Sequence, residues 1–182
     1  MTDFRQAHPD GVILALDQMS LYFQATLTRV WFPKGQTPRI RVAAQRDYIN
    51  FYGALDVLTG REIALSLPNQ NAGMTVHFLE HVLTCWPGRA ILLLWDRASW
   101  HKGAAREFVE QHPALDMMYF PVACPDLNPQ EHVWKQTRDA ISHNHSYASF
   151  GDLRQAFHRH LESTDFHIDW IQKYLPPILC DV

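Results

Sequence analysis

The sequence predicts an α/β domain in which a mixed β-sheet carries helices on its faces. Three observations predict it. The first 65 residues alternate apolar and aromatic runs with turn signals, the pattern of adjoining strands. Beyond residue 90, helix and strand patterns take turns, as in parallel strands joined by helices. The run Ala90-Ile-Leu-Leu-Leu-Trp95 has no polar member, as expected of a strand covered on both sides.

The elements follow in order. Val12 to Leu16 is a buried strand that ends at Asp17, and Leu27 to Phe32 is a second strand. Pro33-Lys-Gly-Gln-Thr-Pro38 is turn-rich. Tyr48 to Leu55 is a third strand, and Arg61 to Leu67 a fourth. Asn71 caps a helix that runs to about Trp86, where Pro87-Gly88 stops it. After the strand ending at Trp95, a helix covers about Lys102 to Gln111 and Pro113 closes it. Leu115 to Phe120 is another strand. Helices from Pro129 to about Ser142 and from Gly151 to Glu162 complete the chain.

A chain of 182 residues suits a single domain over 1–182, burying roughly two-thirds of its unfolded surface. Hydrophobic residues at 47% and charged ones at 19% exclude disordered and collagen-like classes. No apolar run approaches the roughly 20 residues that span a bilayer, and the polar start after Met1 is no signal peptide. Cys85, Cys124 and Cys180 are too few and too scattered for a disulfide framework or a CxxC zinc knuckle, which suits a reducing compartment. The net charge of −3 argues mildly against a nucleic-acid partner. Its distribution argues the other way. No acidic residue lies between Gln18 and Arg46, while Arg29, Lys34, Arg39, Arg41 and Arg46 place +5 there. That stretch is either a solvated hairpin or a phosphate-contacting surface.

Three carboxylates stand where chemistry is usually built. Asp17 and Asp96 each follow an apolar strand run, and α/β folds bind ligands at the carboxyl ends of strands. A carboxylate there needs a cation, either a divalent metal or a neighbouring Arg. Glu131 falls in the first turn of a helix behind Asn128-Pro129, where it can equally serve as a capping residue.

Four blocks surround these residues. They are Leu14-Ala-Leu-Asp-Gln18, Trp31-Phe-Pro-Lys-Gly-Gln-Thr-Pro38, Ile91 to Lys102 with Asp96 and His101, and Pro121 to Trp134 with Pro125-Asp-Leu-Asn-Pro129 and Glu131. In this order they resemble the DDE transposases, specifically the bacterial insertion-sequence group related to mariner. The 34 residues between Asp96 and Glu131 match that group's spacing. The resemblance covers residues 12 to about 138 and implies a ribonuclease H-like fold. It also implies metal-dependent cleavage and joining of DNA strands by Asp17, Asp96 and Glu131. Asp17 would bridge two Mg²⁺ or Mn²⁺ ions, with Asp96 and Glu131 on one ion each. Hard carboxylate donors suit such ions. Transposon-end and target DNA, a homodimer and a cytoplasmic, nucleoid-associated setting are implied in the same way. Lys34, Arg39, His101, Lys102 and Lys135 are candidate DNA contacts.

The chain departs from the group's pattern at Gln18, often acidic there, and at Arg97, usually Asn. It has only about eleven residues before the first strand, so it is expected to lack the helix-turn-helix modules of full-length relatives. An alternative is a decayed or domesticated transposase domain that binds DNA or a partner without cutting. His77-Phe-Leu-Glu-His81 also matches H-x-x-E-H, which with Glu162 would make a zinc site. His143, His145, His158, His160 and His167 form a further histidine-rich stretch, read as surface positions. Trp134 is expected to pack its helix on the sheet.

Overall fold

The computed structural model describes residues 1–24, 26–37, 39–42, 44–121 and 127–166. Pro38, Cys124, Pro125-Asp126, His167 and Cys180 lie outside the described residues. Along the chain run α1 (Thr2–Ala7), β1 (Val12–Tyr22), β2 (Tyr48–Asp56), β3 (Glu62–Leu67), α2 (Ala72–Cys85), β4 (Ile91–Trp95), a 3-10 turn (Ser99–His101), α3 (Ala104–Gln111), β5 (Leu115–Tyr119), α4 (Pro129–Thr137) and α5 (Phe150–Ser163). A π-helical turn over Arg138–Ser142 extends α4. None of the described helices is long and apolar enough to cross a membrane.

The strands form a five-stranded mixed sheet in the order β3-β2-β1-β4-β5. β1 pairs antiparallel with β2 and parallel with β4, and β4 pairs parallel with β5. Alternation along the two central strands sorts the core. Val12, Leu14, Leu16, Ile91, Leu93 and Trp95 pack with Phe78, Leu79 and Val82 of α2 and with Ala105 and Val109 of α3. Met19 and Leu21 point the other way, and with Val133 and Trp134 of α4 and Phe157 and Leu161 of α5 they fill a second core. On that same face Ile13, Ala15, Leu92 and Leu94 meet Phe4 of α1.

Two expectations change. β1 does not stop at Asp17 but runs to Tyr22, because β2 stays paired with it from Leu14 to Tyr22. Asp17 is therefore a mid-strand residue. The expected strand Leu27–Phe32 does not form. The chain leaves the sheet after Phe23, and from Leu27 on it is exposed, with Trp31 entirely so. Without a neighbouring strand its backbone has no ladder to join. Its contact with the rest of the fold is local: Thr26 bridges to His143, and Asn144 holds the backbone and hydroxyl of Thr28.

Candidate active site

Strand register brings the two aspartates to the same end of the sheet. β1 and β4 pair in parallel from Val12↔Ile91 to Ala15↔Leu94. Two residues further in that register, Asp17 falls level with Asp96. By the period of two, Asp17 shares a face with Ile13 and Ala15 and so lies on the face that α4 covers. Asp96 follows the last residue of β4 at the same end of the sheet. There the Trp134 indole Nε1–H donates to Asp17 Oδ2 at 3.1 Å.

α4 is brought to this point by its first residues. Asn128 caps it, with Oδ1 accepting from the Gln130 N–H at 3.1 Å. The same side chain donates from Nδ2 to the carbonyl of Leu16 at 3.1 Å, one residue from Asp17. Pro129 fits the opening turn, where no N–H is required. Gln130 is fully buried and donates from Nε2 to Glu62 Oε1 at 2.8 Å. Close approach is possible because residue 53 is glycine. A Cβ there would lie 2.3 Å from Gln130 Nε2, 2.5 Å from Trp134 Cη2 and 2.6 Å from Glu62 Oε1. Glu131, the next residue along α4, is exposed.

The electrostatics tie the three carboxylates together. Asp17 is raised from 3.8 to about 7, first by burial, then by the negative charge of Glu131, with Asp96 adding a smaller push. Asp96 is exposed, and its pKa is lowered, chiefly by the hydrogen bond from His101. His101 Nδ1 lies 2.8 Å from Asp96 Oδ1, and the Ala98 N–H donates to the same oxygen at 2.9 Å. Glu62 is pushed well above the usual carboxylate range by complete burial. Its Oε2 and the Oε1 of Gln130 are both buried with no partner among the described residues. With no cation paired to it among the described residues, burial favours the neutral form of Glu62.

The other expected contacts divide. Lys102 follows His101 and is exposed, and Lys135 lies one turn beyond Glu131 on the same side of α4, also exposed. Lys34 and Arg39 are exposed in the segment that leaves the sheet. His101 departs from expectation. It is fully buried and stacked on Trp95 with ring centroids 4.6 Å apart, so it has no surface for a phosphate. The Arg97 guanidinium sits 5.3 Å from the centroid of the Tyr119 ring on β5, an arrangement that favours a cation.

The alternative zinc site does not assemble. His77 pairs with Glu80 at 3.5 Å, and His81 Nε2 lies 3.6 Å from Cys85 Sγ. Glu162 belongs to α5, which packs on the opposite face of the sheet from α2. His143 binds Asp139 at 2.7 Å, and His158 meets Ser66 at 3.1 Å. Among the described residues, no group of three or more His, Cys, Asp or Glu side chains is gathered closely enough to hold a metal as it stands. The carboxylates nonetheless suit a divalent cation in donor type and in charge. They offer hard oxygens, and they share a negative field that a cation would relieve.

Comparison with known proteins places this arrangement. The family model described as DDE superfamily endonuclease matches residues 12–154, from the start of β1 into α5. The chain belongs to that family. As a DDE superfamily endonuclease it carries Asp17, Asp96 and Glu131 within the matched span. It is similar to the insertion element IS630 uncharacterized 39 kDa protein of Shigella sonnei, 22% identical over 149 residues, which are 81% of this chain and 43% of that one. It is also similar to the uncharacterized protein y4pE/y4sA of Sinorhizobium fredii (strain NBRC 101917 / NGR234), 27% identical over 103 residues, 56% of this chain and 74% of that one. Among solved structures, the catalytic domain of Mos1 mariner transposase superposes with a TM-score of 0.64 at 15% identity, covering 98% of this chain and 83% of that one. The Mos1 mariner paired-end complex with Mn superposes with a TM-score of 0.68 at 17% identity, covering 92% of this chain and 53% of that one. The expected ribonuclease H-like fold is thus the observed one. The DDE endonuclease chain spans less than half the length of its Shigella relative.

Proposed function

We propose that this DDE endonuclease chain is the catalytic core of an insertion-sequence transposase, cleaving and joining DNA strands with Asp17, Asp96 and Glu131. The observation that carries this reading is the geometry: parallel pairing of β1 with β4 puts Asp17 and Asp96 at one end of the sheet, and Asn128 fastens the start of α4, with Glu131 in its first turn, to β1 beside Asp17. The charges of Glu131 and Asp96 both push the pKa of Asp17 upward, after the larger push of burial. Bound Mg²⁺ or Mn²⁺ would supply the positive charge that activates a water or 3′-hydroxyl and stabilises the leaving oxygen of a phosphodiester.

The chain's own residues prepare for that charge. Trp134 holds one oxygen of Asp17, while His101 and Ala98 hold one oxygen of Asp96. Both donors to Asp96 share its Oδ1, which leaves Oδ2 for a cation. Asn128 and Gln130 fix the start of α4, which sets the reach of Glu131. Lys102 and Lys135 are proposed to neutralise DNA phosphates beside the carboxylates, and Lys34 and Arg39 to do so from the exposed basic segment. The relevant partners are transposon-end and target DNA and a second copy of the chain, in the bacterial cytoplasm at the nucleoid.

The test is Mn²⁺-dependent nicking of supercoiled plasmid by the wild type beside Asp96→Asn, with Mn²⁺ binding followed by calorimetry. Nicking by the wild type that vanishes in Asp96→Asn is the expected result. A second reading, a domain that binds DNA without cutting, is favoured by the absence of a gathered metal cluster among the described residues. Failure of both nicking and Mn²⁺ binding would decide for it.

A further inference from the structure

The residue after Asp17 is not idle. Gln18 belongs to the opposite face of β1, and its amide is held from two sides. The Trp100 indole Nε1–H lies 2.7 Å from Gln18 Oε1. An indole nitrogen can only donate, so the oxygen must face it. That leaves the Gln18 Nε2 toward His101 Nε2, at 3.0 Å. An amide nitrogen offers hydrogens and accepts none, so His101 Nε2 is the acceptor and the ring's hydrogen is on Nδ1. Nδ1 is the atom that lies 2.8 Å from Asp96 Oδ1, and it also lies 3.2 Å from the Asp96 carbonyl. Stacking on Trp95 and complete burial keep the ring from turning to offer its other nitrogen.

We propose that Gln18 is a positioning residue for Asp96: through Trp100 and His101 it directs the imidazole hydrogen to Asp96 Oδ1 and so leaves Oδ2 facing the proposed cation site. The relay runs along the end of the sheet, from the Gln18 amide through the imidazole to the Asp96 carboxylate. Its direction depends on the amide. An apolar side chain at position 18 would leave His101 Nε2 without a donor, and the ring would no longer be held with Nδ1 on Asp96. This inference rests on the proposed role of Asp96.

Two measurements test it. Nitrogen-15 NMR of the imidazole rings in the metal-free wild type reports which His101 nitrogen bears the hydrogen and needs no variant to fold. The expected result is Nδ1–H, joined by an Nε2–H form in Gln18→Met, which keeps the length of the side chain and removes its donor. The second is Mn²⁺ affinity by calorimetry, which should fall roughly tenfold in Gln18→Met, as when a ligand loses its orienting partner. His101→Asn supplies an amide hydrogen to Asp96 without any relay. In that background Gln18→Met should have no further effect, a coupling that a merely structural Gln18 would not show. Nε2–H in the wild type would overturn the proposal and leave the carboxylate reading standing. So would an unchanged Mn²⁺ affinity in a folded Gln18→Met. No Mn²⁺ binding by the wild type would overturn the carboxylate reading, and this one with it.

Discussion

Trp134 does two jobs with one side chain. Its rings are buried among Met19, Phe51 and Val133, while its single polar atom holds Asp17. That bond lowers the pKa of Asp17 against the larger push of burial and of Glu131. Trp134→Phe keeps an aromatic ring in the core and removes the donor. Hydrogen bonds to charged groups are worth about 1.5–3 kcal/mol, so Mn²⁺ affinity near neutral pH should fall at least about tenfold. The loss should shrink at higher pH, where the Asp17 proton leaves without help. Calorimetric titration at several pH values separates this from simple unfolding. At the other aspartate, removing the donor with His101→Phe should weaken Mn²⁺ binding by a similar factor, while His101→Asn should retain most of it.

At the scale of elements, α4 is the piece whose placement matters most, and three of its neighbouring residues fix it. Asn128 reaches β1, Gln130 reaches β3 and Trp134 reaches β1 again. Gly53 on β2 provides the clearance beneath them. Gly53→Ala should therefore push α4 outward. Overpacking of this kind costs about 1–3 kcal/mol, and at this chain length each kcal/mol lowers Tm by about 2–4 °C. A thermal melt reads the stability loss, and nicking should fall further than stability does, because Glu131 moves with the helix. Asn128→Ala removes a cap, which is worth about 1 kcal/mol, and also leaves the Leu16 carbonyl without its donor. Much of this architecture is legible in the sequence: the Asn71 and Asn128 caps, the Pro129 start and the apolar β4 run all lie where local chemistry puts them. What local chemistry does not carry is pairing. Leu27–Phe32 has strand-like residues, but a strand exists only beside another strand. β1 continues past Asp17 because β2 accompanies it there, although β4 no longer does. The Gln18–His101 and Glu62–Gln130 pairs join residues 83 and 68 positions apart, and no local signal announces either.

Across the whole molecule, the raised pKa of Asp17 links stability to pH. Its carboxyl holds a proton more tightly in the fold than in the unfolded chain. The stability it contributes is complete below pH 3.8 and is lost as pH rises through about 7. A displacement of that size corresponds to up to about 4 kcal/mol. The difference in unfolding free energy between the wild type and Asp17→Asn, measured by urea melts without metal, should change in the wild type's disfavour across that window. Saturating Mn²⁺ should flatten the difference by occupying the site that otherwise holds a proton. Glu62 extends the same logic to the electrical character of the native protein. A formal charge of −3 counts every glutamate as ionised. Complete burial makes Glu62 hold its proton to higher pH in the native molecule than in the unfolded chain, so across that window the native protein is the less negative of the two. Native isoelectric focusing should place it above the sequence value of 6.4, and unfolding it in weak buffer should acidify the solution.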